Sequence, residues 1–296
     1  MAPGPQTSRG NLARRVGFAV VAIPVALLLV WYGGWPLALL LSVAGALGAR
    51  ELFDLAERGQ VRPARVIGLA SAAAIAPITY ASLASPDVGT VVAAAWPYVT
   101  ALWLVVVLGW ALLRRAPAER PLEAVAVTLF AVVYPAGLPA FLLAIRHGGF
   151  ERQSWAGTWL VFFPLVVTWV VDTAAMFGGR AIGGAKLVPT ISPGKTRSGS
   201  LAGLAGGLVV APVFAAAVFP AAGLDIPVWQ LLVIAAVLGV IGQVGDLAES
   251  LFKREAGVKD SSHLIPGHGG VLDRLDSLYF VVPVAAAMYR AFGIIR

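Results

Sequence analysis

From about residue 16 onward, long apolar runs alternate with short polar segments rich in arginine. Nine runs read as helices: Val16–Trp31, Pro36–Ala49, Val66–Leu83, Val91–Leu113, Ala124–Ile145, Trp159–Phe177, Leu201–Phe219, Val228–Leu247 and Leu278–Phe292. A helix crosses a bilayer in about 20 apolar residues, and most of these runs approach that length. The second run is short, and Gly45 and Gly48 mark where it would tilt or break. No run shows the two-residue alternation of a membrane β-barrel, and an open strand leaves its backbone groups unsatisfied in lipid. The pattern predicts an all-α, polytopic integral membrane protein with about nine transmembrane helices.

Composition supports this prediction and narrows it. The 296 residues are 59% hydrophobic and 12% charged, far from the soluble norm of about 25% charged. With no cysteine, the chain has no disulfide, thiolate metal site or cysteine nucleophile. The net charge of +7 does not point to nucleic acid, because the arginines lie between apolar runs rather than along one helix face. Their placement fits membrane topology instead. With the N-terminus in the cytoplasm, 18 of the 22 Lys and Arg face that side, leaving Arg146, Arg152, Arg290 and Arg296 opposite. Arg146→Ala, on that far face, is expected to be nearly silent. The first run, with Arg14 and Arg15 before it, has the flank of a secretion signal. Its length, the lack of a small-residue cleavage site and the spans that follow favour a retained helix. Residues 1–15 are read as a disordered cytoplasmic tail.

Acidic residues divide the chain unevenly. In the first half, Glu51 and Asp54 close the second run, where solvent would satisfy them. In the second half, Asp172 sits five residues before Phe177, roughly 8 Å along a helix axis. Asp246 and Glu249 close the eighth run, and Asp273 and Asp276 open the ninth. An ionisable group at such a depth is costly unless paired or functional. Asp246, Glu249, Ser250 and Lys253 fall at i, i+3, i+4 and i+7 on one helix face, and Asp273 and Asp276 are i, i+3. If both helices meet at the membrane boundary, Asp246, Asp273 and Asp276 converge as oxygen donors. That set suits Mg²⁺, which takes one or two carboxylates, retains waters and completes its shell with substrate phosphates. Zinc does not fit, since His263 and His268 lie in a loop without further nitrogen ligands.

Phosphate-binding parts surround those acids. Lys253, Arg254, Lys259 and Arg274 bracket one polar loop, and Arg180, Lys186, Lys195 and Arg197 stand in the other. Gly267, Gly269 and Gly270 flank His268, where missing side chains would let backbone N–H groups approach an anion. Ser192, Lys195 and Thr196 add hydroxyls and an ammonium in a tight turn that lacks P-loop spacing. Cations, carboxylates and a divalent metal together are the parts used for phosphoryl or nucleotidyl transfer. The chain is thus divided into N-terminal transmembrane helices over 16–154 and a C-terminal catalytic membrane region over 155–296, with cytoplasmic loops at 178–200 and 253–277.

Residues 250–276 read SLFKREAGVKDSSHLIPGHGGVLDRLD. This resembles the signature of the phosphatidate cytidylyltransferase (CDP-diacylglycerol synthase) family: Ser, Lys-Arg, Lys-Asp, His-Gly-Gly, then Asp-Arg-x-Asp. Ser250, Lys253, Arg254, Lys259, Asp260, His268, Gly269, Gly270, Asp273, Arg274 and Asp276 fill it without a gap. The stretch from Asp172 to Ser277 is similar to the family as a whole, whereas the N-terminal helices match only in hydrophobicity and number. Two departures stand out. Gly194, Arg197 and Ser198 replace the Lys, Trp and Glu frequent in the family, and His263 stands where a small or amide residue is more usual.

The resemblance implies an inner-membrane enzyme joining CTP to phosphatidate with release of pyrophosphate. By that likeness Asp246, Asp273 and Asp276 hold Mg²⁺, with a monovalent cation such as K⁺ beside it. Lys253, Arg254, Lys259, Asp260 and Arg274 are assigned to catalysis. Asp172, Arg180, Ser192, Lys195, Thr196, Ser250, His268, Gly269 and Gly270 are assigned to substrate. The implied partners are CTP, phosphatidate and membrane lipid, together with a second copy of the chain in a homodimer and no nucleic acid. Two other readings fit the sequence less well. A CTP-dependent polyprenol or phytol kinase is disfavoured by the full Lys-Asp and Asp-Arg-x-Asp run. An ion-coupled transporter is disfavoured because its site would lie near mid-membrane between repeated halves, and no repeat is visible.

Overall fold

A computed structural model describes residues 20, 24–265 and 269–296. The predicted tail at 1–15, much of the first predicted helix, and His268 lie outside the described residues. Residues 24–32 are helical and lead into the first long helix. Seven helices follow that are long and apolar enough to cross a membrane: α1 (Gly34–Arg58), α2 (Arg65–Ala84), α3 (Pro86–Arg114), α4 (Pro121–His147), α5 (Trp155–Ile182), α6 (Arg197–Ala221) and α7 (Val228–Glu255). Two shorter helices complete the order, α8 (Leu272–Leu275) and α9 (Leu278–Ala291). The structure is thus nearly all-α. One exception was not expected: in the loop between α5 and α6, β1 (Lys186–Val188) pairs antiparallel with β2 (Ser192–Thr196), in the register Lys186 to Thr196 and Val188 to Ser192.

Helices extend beyond the ends expected from hydropathy, because charged residues continue a helix once it leaves lipid. The helix expected at Pro36–Ala49 runs unbroken to Arg58. Gly45 and Gly48 do not break it. They allow close approach, since a Cβ on Gly45 would lie 2.8 Å from the Ala136 Cβ and one on Gly48 2.8 Å from the Pro135 Cβ. At 28 residues each, α5 and α7 span roughly 42 Å, more than the hydrocarbon core of about 30 Å. Asp172 therefore stands ten residues before the end of α5, roughly 15 Å along its axis rather than the shorter distance expected. Two π-helical turns, Val133–Gly137 in α4 and Phe214–Val218 in α6, fall at or beside prolines. Proline lacks the N–H that the regular ladder needs, which accounts for the local widening.

Small residues set the packing around the site. Along α6, Gly199, Gly203, Gly206 and Gly207 lie against α5 so closely that a Cβ would meet the Ala175 carbonyl at 2.7 Å, the Val171 carbonyl at 2.8 Å, the Ala174 Cβ at 2.7 Å and the Val171 Cγ2 at 2.6 Å. In lipid, where burial adds little drive, such backbone approach is what holds two helices together. The main core beneath is built from residues such as Leu160, Phe163, Val167, Phe219, Leu231, Ile234, Leu238 and Val281.

Near the end of α4, Arg146 has a structural role. It is fully buried, donating to the Val30 carbonyl at 2.8 Å, the Trp31 carbonyl at 2.7 Å and the Glu151 carbonyl at 3.0 Å. The side chain clamps the approach to α1, so its removal bears on stability.

Candidate active site

The β1–β2 hairpin is held over the ends of α5 and α7. Thr196 ends β2 and caps α6, its hydroxyl accepting from the Gly199 N–H at 3.1 Å. Arg254, at the end of α7, donates to the Ile191 carbonyl in the hairpin turn at 3.2 Å and to the Val258 carbonyl at 2.8 Å. Beneath the hairpin lies a cavity of about 600 Å³. Its charged lining is Asp172, Arg180, Lys186, Lys195 and Asp246, with Thr196, Ser200 and Gln243 as neutral polar groups. Lys195 forms an ion pair with Asp246, and the Ser250 hydroxyl lies 3.4 Å from Asp246 Oδ1. Gln243, one turn before Asp246, accepts from the Ser200 hydroxyl at 2.5 Å and donates to the Gly239 carbonyl at 3.0 Å.

The structure thus brings Asp172, Arg180, Lys195, Thr196 and Asp246 to one cavity. Ser192 stands in β2 but does not line it. Lys186, among the phosphate-binding cations of the loop, also lines it, and Gln243 joins the lining unexpectedly. Gln243 shares a helix face with Asp246 at i, i+3, a signal that was available. A second cavity, about 460 Å³ near the ends of α2 and α3, contains Arg62, Arg65 and Arg115. Its cations are committed elsewhere: Arg65 pairs with Asp54 at 2.7 Å and Glu57 at 2.9 Å, and Arg115 binds the Arg62 carbonyl at 2.9 Å.

The three aspartates expected to converge have different partners. Asp276 lies beside α7, its carbonyl oxygen 2.9 Å from where a Cβ on Gly245 would be. Its carboxylate accepts the Ser277 N–H at 2.6 Å. Burial, and then the neighbouring charge of Asp246, push the Asp276 carboxyl up to about 7. Asp273 is occupied by protein donors. Its Oδ1 accepts the Lys253 ammonium at 2.7 Å, and its Oδ2 faces the Ser261 N–H, the Ser261 hydroxyl and the Gly270 N–H, each at 2.8 Å. Burial opposes its charge, but these donors outweigh that and hold it below the usual carboxylate range. Among the described residues no three His, Asp or Glu side chains are gathered closely enough to hold an ion between them.

Lys253 is likewise committed. Besides Asp273, its ammonium forms an ion pair with Glu249, 3.1 Å from Oε1. Lys259, Asp260 and Arg274 are exposed on the loop and on α8. Gly269 has a φ of +79°, which glycine adopts freely. The Gly-Gly pair serves an internal anion: the Gly270 N–H goes to Asp273, and a Cβ at 270 would strike the Ser261 hydroxyl and the Glu51 carboxylate.

Glu51 is the residue that sequence reasoning missed. Rather than being solvated, it is only 3% exposed, accepts three hydrogen bonds from the signature loop and faces the Ser261 hydroxyl at 2.9 Å. Its partners are 210 or more residues away in sequence, which local pattern does not reveal.

Residues 13–292 match the model of the cytidylyltransferase family, and the chain belongs to that family. Among curated relatives it is similar to the phosphatidate cytidylyltransferase of Brucella suis biovar 1, 36% identical over 289 residues, which is 96% of this chain and 94% of the relative. Over shorter stretches it resembles the phosphatidate cytidylyltransferases of Bacillus subtilis, 48% identical over 127 residues (43% of this chain, 46% of the relative), and of Haemophilus influenzae, 41% identical over 150 residues (51% and 52%).

Proposed function

We propose that this chain is a phosphatidate cytidylyltransferase: it transfers CMP from CTP to phosphatidate, giving CDP-diacylglycerol and pyrophosphate. The carrying observation is the cavity beneath the hairpin, with Arg180, Lys186 and Lys195 facing Asp172 and Asp246, in a chain whose full-length relatives bear that name. Three cations suit a triphosphate. The apolar helices around the cavity suit a substrate whose acyl chains stay in lipid while its phosphate reaches the surface.

In the reaction, a phosphatidate oxygen forms a bond to the α-phosphorus of CTP as the bond to the pyrophosphate oxygen breaks. A phosphate monoester is largely ionised near neutral pH, so no strong general base is needed. Arg180, Lys186 and Lys195 balance the charge that builds on the leaving pyrophosphate. Arg254 fixes the hairpin that presents Lys195, and Asp246 orients the Lys195 ammonium.

The residues fit Mg²⁺ as Asp246 and Asp276. Burial, and then the charge of Asp246, raise the Asp276 carboxyl, and both side chains offer the oxygen donors that a hard cation takes. Buried oxygens of Ser277, Tyr134 and Tyr279 lack hydrogen-bond partners and add unused lone pairs on the α4 and α9 side. When bound, the ion supplies positive charge to the phosphates. Asp273 serves this site through Lys253 and the loop rather than as a ligand, and K⁺ beside Mg²⁺ remains part of the proposal by resemblance alone.

The proposed topology has nine crossings, adding the helix that includes residues 24–32 and α9 to the seven long helices, with α8 in the cytoplasmic loop. The N-terminus and cavity face the cytoplasm, in the inner membrane, on the arginine distribution. Helix α3 buries only Val107 and Ala111, leaving surface for lipid and for the second copy in the homodimer that the resemblance implies. Purified protein incubated with CTP, phosphatidate and Mg²⁺ should release pyrophosphate in step with CDP-lipid, and should stop when Mg²⁺ is chelated. Turnover without phosphatidate, or none with it, would refute the proposal.

A further inference from the structure

We propose that Glu51 is a positioning residue for catalysis: from the N-terminal half of the chain it fastens the signature loop in the form that places Asp273 and Lys253 beside the active site. Each Glu51 oxygen takes one backbone N–H and faces one serine hydroxyl. Oε1 accepts from Val271 N at 2.9 Å and Ser262 Oγ at 2.7 Å. Oε2 accepts from Leu272 N at 2.9 Å and lies 2.9 Å from Ser261 Oγ. The two backbone donors are at the start of α8, so one carboxylate fixes the entry of the helix that carries Asp273. Charge-assisted bonds of this kind are the strong ones, and a bidentate set also fixes orientation.

The arrangement continues inward from Glu51. The Ser261 hydroxyl stands between Glu51 Oε2 and Asp273 Oδ2, at 2.9 and 2.8 Å, with one proton to give. Asp273 then holds Lys253, which stands on α7 two turns beyond Asp246. Contacts thus run without interruption from α1 through the loop to α7, the helix that carries Asp246. Gly270 is an independent sign of the same constraint: its missing Cβ makes room for the Glu51 carboxylate and the Ser261 hydroxyl. Glu51, Ser261, Asp273 and Lys253 are not among the residues that line the substrate cavity. Glu51 should therefore affect the rate of the chemical step more than substrate binding.

The inference rests on the cytidylyltransferase reading for its kinetic arm only. The variant is Glu51→Gln, which keeps the length but offers one acceptor oxygen where two are used. Ser262→Ala, which removes a single bond to Glu51, is the milder companion should Glu51→Gln fold poorly. Hydrogen exchange over residues 258–275 of the full-length protein in detergent reads the loop, with α5 as internal control, and kinetics with CTP and phosphatidate read the chemistry. In Glu51→Gln, loop amides including Val271 and Leu272 should exchange about tenfold faster or more, with α5 unchanged. Its kcat should fall about tenfold or more, with KM for CTP within about threefold. Ser262→Ala should shift both readouts the same way by a smaller factor. Unchanged loop exchange in both variants overturns the inference, as does a loss carried by KM alone. A wild-type protein making no CDP-lipid would instead refute the functional reading, leaving the exchange result to judge the loop.

Discussion

Asp273→Asn and Asp276→Asn should both stop turnover, but only the first should weaken the fold. In Asp273→Asn, the remaining oxygen can still accept the Ser261 and Gly270 N–H groups as neutral bonds, while the new amide group faces the Lys253 ammonium 2.7 Å away. Breaking a buried ion pair costs about 3–5 kcal/mol, because it leaves a buried charge without its partner. Here Glu249 lies 3.1 Å from the same ammonium and retains part of the compensation, so about 2 kcal/mol is expected. In a chain of this size that lowers Tm by about 4 °C. Asp276 has the opposite balance. Its carboxyl is already pushed up to about 7 by burial and by Asp246, so a neutral amide relieves repulsion and leaves Tm unchanged or slightly higher. Thermal unfolding in detergent beside CTP and phosphatidate turnover separates the two. Equal loss of Tm in both variants, or turnover above about a tenth of wild type in Asp276→Asn, would refute the separation of the two aspartates into anchor and ligand.

Arg146→Ala should destabilise by about 2–4 kcal/mol, since three backbone carbonyls lose a buried charged donor, yet the folded fraction should keep its kcat; thermal unfolding and active-fraction kinetics check this. Mg²⁺ activation should depend on pH with a definite sign. Because Asp276 is raised to about 7 without metal and an ion needs the carboxylate, half-saturating Mg²⁺ should fall as pH rises from about 6 to about 8. A Mg²⁺ requirement that is flat across that interval contradicts the assignment of Asp276.

The helices were legible because hydropathy reports burial in lipid directly, yet their ends were not. Past Ala49 and Phe177 the sequence turns polar, and the helices nevertheless continue to Arg58 and Ile182. Short polar strands such as Lys186–Val188 carry no period long enough to recognise. Within the site, residue types were legible and partners were not. Spacing put Asp246 and Lys253 on one face of α7 but could not say that Lys253 turns to Asp273 while Lys195 reaches Asp246. Asp273 and Asp276 look equivalent in sequence, and only the loop folded back through Ser261 and Gly270 makes one an anchor. Glu51 was misread for a related reason. A charged residue at the end of an apolar run looks solvated until a distant segment is seen to cover it.

Position-specific labelling of CTP tests the central claim most directly. With purified protein, phosphatidate and Mg²⁺, label at the α-phosphorus should appear in the lipid product and label at the γ-phosphorus in free pyrophosphate. Lipid carrying the γ label, with CDP as the other product, would mark a kinase and contradict the account.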